Sequence, residues 1–261
     1  LGGQAKILRI DTQTGRFLSP IDIKAESILT SMAYSPNHGR LYIGYNTGEV
    51  TFLDTASLAP EQNFIKLPLS ADGLASVGDY VLAQDDSNAR ETHYILDVDG
   101  IVTDFEEWNY YSEAYAWNES TSRVYFFRDG TSPNDLLYET IDQSNGTITS
   151  EGDSPYHGEY QIKGPIRVSP DGNYVFLGSG SIYDASSLHH LAAVEEATAA
   201  IWDDQNHLIT LSNKSSANFL ERRNSELELV DRVSLDGYPE LILGSGSTFI
   251  IIKQSTSGYA I

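Results

Sequence analysis

Residues Ala33–Leu58 read AYSPNHGRLYIGYNTGEVTFLDTASL, and their order of turns and strands decides the fold. A short apolar piece ends at Ser35-Pro36 and is followed by the polar turn Asn37-His38-Gly39. Two alternating runs, Arg40–Tyr45 and Glu49–Asp54, flank Asn46-Thr47-Gly48. Aromatic and β-branched residues suit a pleated surface, while Asn, Gly and Pro supply turn geometry. The spacing therefore predicts a hairpin that leaves through the polar turn Asp54-Thr55-Ala56-Ser57. Val168–Leu188, VSPDGNYVFLGSGSIYDASSL, repeats the plan, with Ser169-Pro170-Asp171-Gly172 as the turn and Asp184–Leu188 as the exit.

Working outward, the same unit recurs along the whole chain in degraded form. Its second strands start near Leu41, Tyr80, Val124, Tyr174, Leu208 and Phe249. Four strands at a period of about 40–45 residues identify an all-β chain folded as a β-propeller of four-stranded blades. Inner strands are expected near Ser31–Ser35, Leu74–Val77, Glu113–Trp117, Ile166–Ser169, Ala199–Trp202 and Glu240–Leu243. The chain opens on a third and a fourth strand, Ala5–Ile10 and Arg16–Ile23, and closes on a first, a second and a third. Joining its ends in one composite blade gives six blades in a single domain over residues 1–261, with seven as the alternative. His189–Ala200 (HHLAAVEEATAA) has helix-favouring Ala and Glu, but the repeat makes it a fourth strand followed by a loop.

Pro170–Leu177 (PDGNYVFL) and Ser181–Ala185 (SIYDA) resemble the core of the bacterial YVTN/cytochrome-d1-type, WD40-like propeller repeat. Asn37–Thr55 is similar to the same pattern, and Ile10–Gly15 (IDTQTG) resembles its exit turn. The motif is structural and implies a fold more than a chemistry. Members include lactonases, redox-cofactor proteins and surface proteins, many of them exported.

Composition narrows the function. Sixteen Lys and Arg against 37 Asp and Glu give a net charge of −21, which repels nucleic acid and anionic membranes. No run approaches the ~18 apolar residues of a membrane span. The absence of cysteine removes disulfides, thiolate metal sites and thiol nucleophiles. Leu1-Gly2-Gly3 lacks an initiating Met, so the chain reads as an excised or mature segment of a longer exported protein, periplasmic, cell-surface or extracellular.

Links from second to third and from fourth to first strand leave a blade at one end, called the top here, where propeller ligands bind. Asp11, Asp54, Asp97, Asp142 and Asp184 lie in exit turns at the other end and read as turn-builders. At the top, Glu106–Tyr111 and the long link Ser150–Gly164 place Trp108, Tyr110, Tyr111, Tyr156 and His157 among acids. Aromatic faces beside carboxylates suit sugars or cationic groups, so these five are the expected ligand contacts, for a protein or carbohydrate partner. Glu106 with Asp153 could serve acid–base chemistry, but no nucleophile elbow, His-Glu-x-x-His or P-loop occurs. A lactonase-like hydrolase is the rival reading; among first-strand positions only Arg167 would hold an anion. No catalytic residue, metal ligand set or cofactor is assigned, with Ca²⁺ at Asp129–Asp135 (DGTSPND) or Asp97–Gly100 (DVDG) as the alternative.

Overall fold

Strand pairing follows the hairpin signals. A computed structural model describes residues 6–24, 27–57, 59–129, 133–214, 217–245, 248–255 and 258–260, which hold strands and turns and no helix. Near the N-terminus β1 (Lys6–Ile7), β2 (Ile10–Asp11), β3 (Arg16–Phe17) and β4 (Ile21–Asp22) form two short pairs, β1 with β4 and β2 with β3. Five four-stranded antiparallel sheets follow among the described residues, each from consecutive strands. The first takes β5 (Leu29–Ser35), β6 (Arg40–Tyr45), β7 (Glu49–Asp54) and β8 (Gln62–Lys66). The second takes β9 (Gly73–Val77), β10 (Tyr80–Asp85), β11 (Glu91–Leu96) and β12 (Val102–Trp108). The third is β13 (Tyr111–Asn118), β14 (Arg123–Asp129), β15 (Leu136–Asp142) and β16 (Thr147–Asp153). The fourth is β17 (Ile166–Val168), β18 (Tyr174–Leu177), β19 (Ser181–Asp184) and β20 (His190–Ala193). The fifth is β21 (Ala199–Trp202), β22 (Leu208–Lys214), β23 (Ala217–Arg223) and β24 (Leu229–Leu235). Last come β25 (Tyr238–Ser245), β26 (Thr248–Ser255) and β27 (Gly258–Ala260), a three-stranded sheet. All six expected inner strands are present, and His190–Ala193 is a strand.

The chain divides into two compact units, one containing β1, β4 and the first three sheets, the other β2, β3 and the last three. In the first unit β9 lies beside both β5 and β13; in the second β21 lies beside both β17 and β25. Middle strands are covered on both faces, as a propeller's blades require, so their burial is continuous: Tyr42–Tyr45, Val81–Asp85 and Val124–Phe127 are all buried. Between the first two sheets Tyr42, Val50 and Leu67 pack with Leu74, Val81 and Leu96. Between the second and third, Val77, Leu82 and Ile95 meet Val124 and Ile141. In the second unit Phe176 and Ile182 pack with Ala200 and Leu208.

Two boundary expectations need correction. The edge strands β12 and β16, read from the sequence as ending at Phe105 and Thr149 where the apolar pattern stops, run on to Trp108 and Asp153, because backbone pairing with β11 and β15 continues. The terminal strands also do not share a hydrogen-bonded blade among the described residues. β27 takes the third position beside β26, while the Asp11–Gly15 turn folds β2 onto β3.

The exit turns are built as the sequence predicts. Asp11 Oδ1 accepts from the Gln13 N–H at 2.9 Å, Asp54 Oδ1 from Ser57 N–H at 2.7 Å, and Asp97 Oδ1 from Asp99 N–H at 2.9 Å. Asp142 and Asp184 accept from Ser144 and Ser187 N–H, each at 2.8 Å. The Ser57 and Ser144 backbone N–H groups are the main reason that the Asp54 and Asp142 carboxyls sit below the usual carboxylate range.

Gly48 and Gly180 hold the equivalent position in the two clearest repeats. Each has positive φ (82° and 93°) and donates its N–H three residues back, to Tyr45 and Leu177 O, both at 2.8 Å. A Cβ would stand 2.1 Å from Leu69 O or 2.2 Å from Val194 O. Gly48→Ala and Gly180→Ala are each expected to cost about 2–4 kcal/mol, combining left-handed strain with overpacking against backbone. Urea unfolding checks this; a loss under about 0.5 kcal/mol would show that the turn can relax.

Candidate functional site

The middle of the first unit carries charge where a β core is ordinarily apolar. Residues two apart on a strand share a face, so β11 sends Glu91 and His93 together into the space between the second and third sheets. His93 Nε2 lies 2.7 Å from Glu91 Oε1, and Nδ1 lies 2.8 Å from Glu139 Oε1 on β15. All three side chains are fully buried. Ser112 on β13 donates its backbone N–H to Glu91 Oε2 at 2.6 Å and its hydroxyl to Glu91 Oε1. Tyr115 Oη stands 2.6 Å from Ser112 Oγ and 3.1 Å from His93 Nε2. A bulge between Glu113 and Ala116 makes this possible, with Ala114 at φ 59°. The extra residue turns Ser112 and Tyr115 to one side. Burial alone would lower the His93 pKa, but the Glu139 and Glu91 carboxylates outweigh it and raise it to about 9.

Two cavities open at the top of these sheets. One, of about 560 Å³, is lined by Ser31, Asp72, Gln84, Asp86, Tyr111 and Tyr115, and reaches Glu91. Burial, followed by the charges of Asp72 and Glu91, pushes the Asp86 carboxyl up. The other, of about 370 Å³, is walled by Glu106, Trp108, Tyr110, Arg128, Glu151 and Asp153. Its rings meet at 5.1 Å between centroids and 37° between planes. Arg128 Cζ sits 4.5 Å over the Tyr110 ring, and its Nη2 is 3.7 Å from Asp153 Oδ2. Trp108 Nε1 donates to Glu139 Oε1 at 2.6 Å, so the second cavity's wall is fastened to the buried network. Burial, then the neighbouring Glu106, raises the Glu151 carboxyl.

The five expected contacts are therefore divided. Trp108 and Tyr110 share the second cavity, as do Glu106 and Asp153. Tyr111 lines the first cavity and is exposed. Tyr156 is half-buried and lines neither; His157 is exposed, with Nδ1 3.5 Å from Asp135 Oδ2. Arg167 donates from Nε to Ala200 O and from Nη1 to Ile166 O, both at 2.8 Å, a backbone brace. The buried Glu91–His93–Glu139 group escaped sequence reading, since acids and His in a strand look like solvent-face positions. The available signal was their place on third strands, which a propeller covers on both faces.

Solved structures similar over nearly the whole chain include the following three. A chain of the crystal structure of the mitotic checkpoint complex matches 98% of this chain and 80% of its own, at 11% identity and a TM-score of 0.70. The crystal structure of the WD40 β-propeller domain of Doa1 matches 99% of this chain and 85% of its own, at 11% identity and 0.62. The fold is a β-propeller. BamB from Moraxella catarrhalis matches 94% of this chain and 87% of its own, at 14% identity and 0.51. The propeller is thus WD40-like in architecture, and six to seven blades fit its sheets. No protein-family model matches the chain, and no curated protein sequence does.

Proposed function

We propose that residues 1–261 form one non-catalytic binding or scaffolding propeller that takes a cationic protein segment on its top face. The observation that carries this reading is the second cavity, where two aromatic rings stand among Glu106, Glu151 and Asp153. Arg128 already lies over the Tyr110 ring and beside Asp153, so an incoming Lys or Arg side chain would be met chiefly by Glu106 and Glu151, beside the two rings. A sugar is the weaker fit, because three carboxylates exceed what a neutral ring needs. The net charge of −21 favours encounter with a basic partner. A hydrolase reading is disfavoured because His93, the best-connected base, is fully buried and cannot reach a ligand. The repeat resemblance at Asn37–Thr55 and Pro170–Ala185 supports kinship with the YVTN-type propellers, and with it export as part of a longer bacterial protein.

Tyr110 is the proper probe, since Trp108 also serves Glu139. Tyr110→Ala and Glu151→Gln are each expected to weaken binding of a Lys/Arg-rich peptide selected on an array, by about tenfold or more. Little stability should be lost. A companion glycan array covers the carbohydrate alternative. If the wild-type chain selects no basic peptide, or Tyr110→Ala binds it as well as wild type, the cavity is not the contact.

A further inference from the structure

We propose that Asp135, Asp153 and His157 bind one divalent transition-metal ion, with Zn²⁺ the best match to the donors. Among the described residues these three bring one His nitrogen and two carboxylate oxygens within 4.8 Å of one another. Backbone pairing explains the convergence. Asp153 ends β16 opposite Leu137 on β15, and Asp135 immediately precedes β15. His157 then returns four residues beyond Asp153.

A second observation is independent of that proximity. Asp135 is 1% exposed, yet its Oδ2 has no hydrogen-bond partner. Its other oxygen takes a long bond, 3.4 Å, from the Ser154 hydroxyl. Oδ2 points toward His157 Nδ1 at 3.5 Å. A carboxylate oxygen withdrawn from water and left unpaired is costly, and a cation between it and the imidazole supplies what is missing. Arg128 makes its ion pair with Asp153, at 3.7 Å, while its guanidinium lies on Tyr110. Metal binding would displace that one loose contact.

The donor set selects the metal. Ca²⁺ needs six to eight oxygen ligands and rarely takes imidazole, whereas Zn²⁺ accepts one His and two carboxylates and leaves a fourth position for water. Zn–N and Zn–O bonds of about 2.0–2.2 Å require the donors to close by roughly 1 Å. Exposed His157 and Asp153 can do so while buried Asp135 stays fixed. This assignment stands apart from the ligand of the neighbouring cavity, although Asp153 belongs to both.

The test is calorimetric titration of the chelator-stripped whole chain with Zn²⁺, Ca²⁺ and Mg²⁺, followed by visible spectroscopy with Co²⁺. One equivalent of Zn²⁺ should bind, at least ~100-fold more tightly than Ca²⁺, and Co²⁺ should give a four- or five-coordinate spectrum. His157→Ala and Asp135→Asn should each weaken Zn²⁺ by about tenfold or more, while Glu107→Gln, outside the donor set, leaves it unchanged. If Asp135→Asn fails to fold, exposed His157→Ala decides alone. Absence of saturable Zn²⁺ binding overturns the site. So does binding indifferent to His157→Ala, or Ca²⁺ binding as tight as Zn²⁺, either of which would mark a diffuse acidic surface.

Discussion

Glu139→Ala is expected to cost about 3–5 kcal/mol of folding stability, because it strips a fully buried imidazolium of one of its two counter-charges. The same change leaves the Trp108 indole N–H without its acceptor. Glu139→Gln keeps the shape and should cost less. The wild-type pH profile carries a second signature. His93 rises from the ordinary histidine value of 6.5 to about 9 in the folded chain, so folding takes up a proton. Its contribution is complete below pH 6.5 and is lost as pH climbs through about 9. The span is roughly 3 kcal/mol. Urea unfolding at pH 6 and pH 9.5, with the imidazole followed by NMR, measures both. A His93 resonance that titrates below pH 7 in the folded chain would mean a neutral ring and remove the expectation.

Phe126→Ala should be of similar size, about 3–5 kcal/mol. Phe126 is fully buried on β14 and meets His93 at 4.9 Å, Trp108 at 5.6 Å and Tyr115 at 5.9 Å between ring centroids. Its ring touches residues of both cavities and of the charged network. Deleting it leaves a void whose walls are held by hydrogen bonds elsewhere and cannot collapse inward. Phe126→Leu fills most of that void and should cost under about 1.5 kcal/mol. Differential scanning calorimetry of the two variants separates volume from ring chemistry; equal losses would show that the aromatic contacts, not the volume, matter.

The sequence was most legible where turns are built by side chains. Arg40–Tyr45 and Glu49–Asp54 occur at the expected residues, since Asn46-Thr47-Gly48 and the Asp54 turn fix both ends. Edge strands were less legible: Glu106–Trp108 is partly exposed and Ser150–Asp153 mostly exposed, held by backbone pairing that composition does not encode. Trp108 and Tyr110 could be placed together because one short link carries both. Tyr111 could not. It is the first residue of β13, and strand alternation sends it to the other cavity. The Glu91–His93–Glu139 group needed the packing of two sheets, since Glu91 and Glu139 lie far apart in the chain and neither shows a motif.

Each of the five complete sheets is cut from one unbroken run of chain, as with Leu29–Lys66 and Gly73–Trp108. A chain leaving the ribosome can therefore finish one sheet's ladder before the next sheet has been synthesised, and no strand waits for a partner not yet made. Such local pairing keeps loop-closure entropy low for an all-β chain. During synthesis the newest sheet presents a face without its neighbour, and β2 with β3 wait for the last three sheets of their unit, so the hazard of wrong association has two fronts.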